Sequence, residues 1–169
     1  IVSINALLDN VSHDFVLDTG CKRSQLVLSE FTQNLKKVGE EESSGAFGTA
    51  LYDLVSTKEL NMGELVLSDF IFSRATIKEI EKNLLGMDFL RSHSIYLSLH
   101  EKKIFFDHKA PSHLQMEVIY PDDVGKQPFI DVQCGEDNLR ALWDTGAGIT
   151  LVDSVYIKKM PDKFKLVGK

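Results

Sequence analysis

Two short acidic motifs in this chain have the residue types and the spacing needed for acid–base chemistry. An Asp-Thr-Gly triplet follows three apolar residues at 15–17, and a second follows three more at 141–143. The two aspartates, Asp18 and Asp144, are 126 residues apart. An ionised carboxylate at the end of an apolar strand is costly to desolvate unless other groups stabilise it. The repetition predicts two half-sites that bring two carboxylates together.

The chemistry of such a pair is general acid–base catalysis. Two carboxylates a few ångströms apart do not both ionise readily, so one keeps a proton while the other is charged, and the pair titrates as a unit. The charged member can take a proton from a water molecule while the other donates one to a carbonyl oxygen. This reaction hydrolyses an amide without a metal or a cofactor, and we predict neither.

The elements that must position these residues are predicted to be short strands. Strand and turn patterns crowd together over residues 1–107, with a turn at Asp9-Asn10, which is typical of an all-β barrel or sandwich. Short helices are expected at 31–37, capped by Ser29, and after Gly86. The polar, glycine-rich stretch at 43–52 is predicted to be a hairpin, because a strand rather than a helix follows its glycines.

The pattern of the first 30 residues returns near the end of the chain. Strands are predicted at 129–134 and 139–143 around a turn at 135–138, with a further apolar segment at 149–152. We therefore expect a complete lobe at 1–107, a linker at 108–127 and the beginning of a second, truncated lobe at 128–169. Because the sequence starts at Ile1 rather than Met, we expect a processed product or an excerpt.

Composition excludes several other classes of function. The 169 residues are 43% hydrophobic and 26% charged, with a net charge of −6. Scattered Lys and Arg residues give no footprint for nucleic acid, and no apolar run approaches the roughly 20 residues of a membrane-spanning helix. Two cysteines make no disulfide framework, and the five histidines lack metal-ligand spacing.

Taken together, these motifs resemble the retropepsin-like aspartic proteases, in particular their bacterial tandem, two-lobed members. The resemblance rests on residues 16–20 with Ser24, on 142–147 with Thr150, and on Leu84-Leu85-Gly86 ahead of a helix. It implies an all-β, retropepsin-like acid protease barrel with one short helix per lobe, in tandem repeat. The implied activity is that of an aspartic endopeptidase acting on a peptide or protein substrate, in a bacterial extracytoplasmic location.

The resemblance also assigns roles to individual residues. The site it implies consists of catalytic Asp18 and Asp144, the supporting loop residues Thr19, Gly20, Thr145 and Gly146, and a substrate-covering flap at Gly45, Ala46, Phe47 and Gly48. The threonine hydroxyls would tie the two loops together. The extended substrate would add as a strand beneath the flap.

Alternatives stay open at the level of sequence. Lys22 and Arg23 beside the first motif should favour ionised Asp18 and lower its pKa, which supports a catalytically inactive peptide-binding or dimerisation module instead. The two triplets could also be plain turns. Asp18 could pair with Asp144, or with its own symmetry mate in a homodimer. A second chain could complete the C-terminal lobe.

Overall fold

The computed structural model describes residues 1–45, 48–76, 82–98, 100–108, 127–165 and 167. The strands are β1 (Ser3–Leu8), β2 (Val11–Leu17), β3 (Gln25–Leu26), β4 (Lys36–Gly45), β5 (Gly48–Ser56), β6 (Glu59–Met62), β7 (Leu65–Ser68), β8 (Ile71–Arg74), β9 (Asn83–Leu85), β10 (Ile95–Ser98), β11 (Lys103–Phe106), β12 (Phe129–Cys134) and β13 (Asp137–Leu142). The helices are α1 (Glu30–Gln33), α2 (Met87–Leu90) and α3 (Ser154–Lys159), and a 3-10 turn follows at Pro161–Lys163. The predicted all-β fold is confirmed.

The first two strands form the hairpin that leads to the first acidic motif. Asp9 and Asn10 join them with φ angles of 47° and 69°, the left-handed values that a two-residue hairpin turn requires. Ser3 lies opposite Val16 in the antiparallel register. The turn predicted at Asp9-Asn10 is confirmed, because these residue types tolerate positive φ.

A nine-stranded sheet holds this hairpin, in the order β4-β5-β8-β3-β9-β2-β1-β6-β7. Inside it, β2 runs antiparallel to β1 and parallel to β9. The last three residues of β2, Phe15, Val16 and Leu17, are all buried, as expected of a strand covered on both faces. The main core cluster comprises Ala6, Leu8, Phe15, Leu17, Leu26, Val55, Leu60, Phe72, Leu85, Met87, Phe89 and Leu90. This packing fixes the point at which the chain leaves β2 and enters the acidic motif.

The first helix is shorter than the sequence predicts. The Ser29 hydroxyl accepts the Thr32 N–H at 3.1 Å, and the Thr32 hydroxyl accepts the Ser29 N–H at 2.8 Å. This capping box confirms the predicted start. The helix ends at Gln33 instead of continuing to 37, because β4 begins at Lys36 and pairs with β5. The helix predicted after Gly86 is confirmed as α2.

The second hairpin, β12–β13, has the same register as the first. Phe129 lies opposite Leu142, 126 residues after the pair Ser3 and Val16. Its turn is Gly135-Glu136, two residues instead of the four predicted. The apolar segment at 149–152 does not form a strand. Its counterpart in the first copy of the pattern, β3, pairs with β8 and β9.

The division into lobes at 1–107 and 128–169 stays a prediction. Most of the predicted linker, 109–126, lies outside the described residues.

Candidate active site

Both aspartates sit in loops of the same geometry at the ends of equivalent strands. The Asp18 N–H donates to Leu85 O of β9 at 2.9 Å. Asp18 Oδ1 then accepts the N–H groups of Gly20 and Cys21 at 2.9 and 3.1 Å. Asp144 Oδ1 likewise accepts two backbone N–H groups, those of residues 146 and 147, at 2.9 and 3.1 Å. Each carboxylate is therefore held by one oxygen, and its second oxygen is left for other contacts.

Two threonines connect the loops reciprocally. The Thr19 N–H donates to Thr145 Oγ1 at 3.1 Å, and the Thr145 N–H donates to Thr19 Oγ1 at 3.0 Å. Each hydroxyl also donates across the junction, Thr145 to Leu17 O at 2.6 Å and Thr19 to Trp143 O. Every hydroxyl is thus both donor and acceptor, which stabilises the contact between the two strand ends.

The glycines set how closely the loops approach. A Cβ built on Gly20 would lie 2.5 Å from Asp144 Oδ2, and one built on Gly146 would lie 2.6 Å from Asp18 Oδ1. Real Cβ atoms do not approach oxygen so closely. The backbone of each loop therefore packs directly against the carboxylate of the other, which brings the sequence-predicted Asp18 and Asp144 together.

The pKa of Asp18 shifts in the direction opposite to that expected from its cationic neighbours. Burial, followed by the negative charge of Asp144, raises the pKa of Asp18 above its usual 3.8, although the N–H groups of Gly20 and Cys21 act to lower it. The expected lowering by Lys22 and Arg23 is wrong. The Arg23 guanidinium instead pairs with Glu41, with 2.8 Å from Nε to Oε2, and Lys22 is exposed.

A segment behind the first loop, Asn83–Asp88 (the supporting segment), fixes its backbone. The Met87 N–H donates to Cys21 O at 2.8 Å, and Asp88 Oδ1 accepts the N–H and hydroxyl of Ser24 at 2.8 and 2.7 Å. A Cβ on Gly86 would lie 2.8 Å from Cys21 O, so only glycine allows this approach. Burial raises the pKa of Asp88. The sequence pointed to the apolar pair and the glycine, but not to Asp88.

The predicted flap falls on a hairpin of which the tip is only partly described. β4 and β5 pair through to Gly45 opposite Gly48, which confirms the hairpin. Ala46 and Phe47 lie outside the described residues. On β4, Glu41 accepts hydrogen bonds from Arg23 and from the Ser73 hydroxyl. This carboxylate joins the hairpin to the loop that follows Asp18, and nothing in the sequence pattern pointed to it.

Gln127 also contacts the first loop. Its side-chain amide donates to Gly20 O. This carbonyl belongs to the Gly20–Cys21 peptide group, and the N–H of that peptide group donates to Asp18 Oδ1. A donor on the carbonyl polarises the peptide and strengthens its N–H as a donor. No pattern in the sequence indicated this role.

Within the residues that the structure describes, no three His, Cys, Asp or Glu side chains are grouped so as to hold a metal ion. None of the helices in these ranges is long and apolar enough to cross a bilayer.

Comparison with known proteins finds similarity among solved structures alone. No family model and no curated protein matches the sequence. One similar structure is a retropepsin-like aspartic protease from Rickettsia conorii, with 17% identity, a TM-score of 0.44, and coverage of 57% of this chain and 75% of that one. Another is the retroviral protease-like domain of Ddi1 from Leishmania major, with 15% identity, a TM-score of 0.45, and coverage of 64% and 90%.

Proposed function

We propose that this chain carries an aspartic endopeptidase site in which Asp18 and Asp144 form the general acid–base pair. The observation that carries the proposal is the mutual packing of the two loops, in which each glycine backbone lies against the opposite carboxylate. Reciprocal threonine hydrogen bonds hold this approach. Plain turns would need neither a glycine at this contact nor two half-buried acids facing each other.

The reaction would follow from the two protonation states of the pair. The two carboxylates share one proton, and burial beside Asp144 raises the pKa of Asp18. The ionised member takes a proton from water as the water oxygen bonds to the substrate carbonyl carbon, while the protonated member gives its proton to the carbonyl oxygen. The tetrahedral intermediate then collapses: the C–N bond breaks, the amine nitrogen leaves with the proton of the pair, and the ionised carboxylate takes a hydroxyl proton from the intermediate, so the pair again holds one proton.

The substrate would be an extended peptide or protein segment that passes between the acidic loops and the β4–β5 hairpin. β4 is an edge strand of the sheet, and edge strands bind peptides through main-chain hydrogen bonds. Gly45 and Gly48, with Ala46 and Phe47 between them, would cover the bound segment.

The intramolecular pair is favoured over a homodimeric one. Thr19 and Thr145 of one chain already satisfy each other's N–H and hydroxyl groups. A homodimer that paired Asp18 with its symmetry mate would have to break these bonds. The inactive-module alternative relied on a lowering of the Asp18 pKa by Lys22 and Arg23. Arg23 pairs with Glu41 instead, and the pKa of Asp18 is raised.

Cleavage of a denatured protein and of a peptide library by the full chain, between about pH 3 and pH 8, tests the proposal. Asp18→Asn and Asp144→Asn should each reduce kcat by about 10²–10⁴-fold, the contribution of a positioned acid or base. Asp131→Asn is the matched control, since Asp131 is exposed on β12. Full activity of Asp144→Asn would refute the intramolecular pair, and no cleavage by the wild-type chain would refute the protease.

A further inference from the structure

One row of side chains crosses the large sheet from β2 to the β4–β5 hairpin. Val16 on β2 lies beside Leu84 on β9, Leu84 lies beside Gln25 on β3, and Gln25 lies beside Ser73 on β8. Ser73 in turn lies beside Leu54 on β5. Residues that pair directly across a sheet point to the same face. These five residues (the floor row) therefore share one face, and none of them belongs to the main core cluster.

The other face of these strands is the one that packs into the core. Leu17, Leu26 and Phe72 are chain neighbours of floor-row residues, and all three belong to the core cluster. Successive side chains on a strand point to opposite faces, so the floor row is directed away from that core. On its side of the sheet, the Ser73 hydroxyl donates to Glu41 of the hairpin. The floor row therefore lies beneath the hairpin that would cover the substrate.

Gln25 is the member of the floor row whose polar group is left unsatisfied. The residue is 9% exposed. Its Nε2 atom is buried and has no hydrogen-bond partner in the part of the chain that the structure describes. A buried donor without an acceptor is destabilising, and the great majority of such groups in folded proteins are paired. The amide of Gln25 is therefore placed to donate to an oxygen that another molecule supplies.

A carboxylate next to Gln25 provides the complementary group. Glu41 Oε1 accepts from the hydroxyl of Ser73, which pairs with Gln25 in the sheet. Glu41 Oε2 accepts from Arg23 Nε, two positions before Gln25 in the chain. Each oxygen of a carboxylate has about two acceptor sites, so Glu41 can accept further hydrogen bonds. A side chain that fits this place brings an acceptor for Gln25 and a donor for Glu41.

We infer that Gln25 is a specificity-determining residue, and that the floor row selects a substrate segment with a carboxamide side chain, glutamine or asparagine, at the residue that faces it. The carboxamide oxygen accepts from Gln25 Nε2, and the carboxamide nitrogen donates to Glu41. A carboxylate would place a second negative charge beside Glu41, and an aliphatic side chain would leave Gln25 Nε2 unpaired. Because Nε2 is buried, the side chain enters while the hairpin is lifted. The inference rests on the proposed function, whose substrate it specifies.

Peptides that differ at a single residue are the probe. A series of capped, fluorescently labelled decapeptides places Gln, Glu or Met at each position in turn in a constant background of Ala, Val and Ser. Met is the matched comparator, because it is about as long as Gln and has no amide. Binding to the full chain carrying Asp18→Asn is measured by fluorescence anisotropy, so that no peptide is cleaved. At one position or more, the Gln peptide should bind at least about tenfold more tightly than the Met peptide, and more tightly than the Glu peptide.

Three substitutions in that same chain assign the preference to the floor row. Gln25→Met should reduce the difference between the Gln and Met peptides to about twofold or less, because the unpaired donor is gone. Glu41→Gln should bring the Glu peptide to within about threefold of the Gln peptide, because the repelling charge is gone. Gln133→Leu, at an exposed position on β12, should leave every preference unchanged. If Gln25→Met lowers Tm so far that the chain unfolds, Glu41→Gln alone makes the assignment.

The possible outcomes separate this inference from the proposed function. Equal affinity of the Gln and Met peptides at every position, an unchanged preference in folded Gln25→Met, or no binding of any peptide would overturn the inference. With the wild-type chain, the same preference should appear in kcat/KM. Selective binding without cleavage would refute the protease and leave the selectivity standing, whereas cleavage without selectivity would overturn the inference alone.

Discussion

Replacing Gly20 with alanine tests whether close packing of the two loops creates the site. The new methyl carbon would lie 2.5 Å from Asp144 Oδ2. Asp144 cannot turn aside freely, because its other oxygen accepts two backbone N–H groups at 2.9 and 3.1 Å. The loops must therefore move apart, which lengthens the hydrogen bonds between Thr19 and Thr145.

The magnitude follows from the cost of overpacking. Inserting a methyl group into a tightly packed site costs about 1–3 kcal/mol. For a chain of this size, this lowers Tm by roughly 2–12 °C. Activity should fall further, by about 10²-fold or more, because a displacement of about 1 Å between reacting groups is enough for such a loss.

The assay compares Gly20→Ala with Gly39→Ala by thermal unfolding and by peptide cleavage. A Cβ on Gly39 would meet Leu54 Cδ1 at 3.5 Å, an ordinary contact, so this control should keep wild-type activity. If Gly20→Ala matches the control in both Tm and kcat, the close approach of the loops has no functional role and the reasoning is refuted.

Three further predictions concern the groups around the pair. The pKa of Asp18 in the folded protein is raised above 3.8, so its protonated form stabilises the fold at low pH. That contribution is lost as pH rises through the folded-state pKa. Urea unfolding should therefore show a free energy of unfolding that declines over this pH range in the wild type but not in Asp18→Asn. Gln127→Leu should lower kcat about 2–10-fold and shift the acidic limb of the pH–rate profile, because it removes the donor behind an Asp18 hydrogen bond; exposed Gln133→Leu should change neither. Glu41→Gln should raise KM with kcat less affected, because the hairpin loses its ionic contact with the acidic loop, whereas Glu42→Gln, the adjacent exposed residue, should leave KM unchanged.

Local sequence signals predicted the backbone elements that position the site. Turn chemistry at Asp9-Asn10, the apolar run before Asp18, and the glycine of the supporting segment each follow from short-range preferences that the tertiary structure obeys. The repeat predicted the second hairpin for the same reason. Competition between a local helix and a strand that pairs with a distant segment was harder to anticipate. α1 ends early because the residues from Lys36 onward pair with β5 as strand β4.

The polar contacts that tune the site were beyond sequence reasoning. Arg23 and Glu41 lie 18 positions apart on different elements, and Gln127 meets Gly20 across 107 positions. No sequence periodicity links residues so far apart in the chain. Adjacency in the chain was the only guide, and it indicated the wrong partner for Arg23. It suggested that Arg23 acts on Asp18, when the guanidinium is oriented toward Glu41.

The threonine contacts have a consequence for how the site tolerates change. Each hydroxyl accepts a hydrogen bond from the opposite repeat and donates one back to that same repeat, so all four bonds cross the junction. Loss of either hydroxyl removes two of the four bonds and weakens the other two, and a double-mutant cycle of Thr19→Val with Thr145→Val should be strongly sub-additive. The two halves of the duplicated motif can therefore change only together, since a substitution in one half at once removes what holds the other in place.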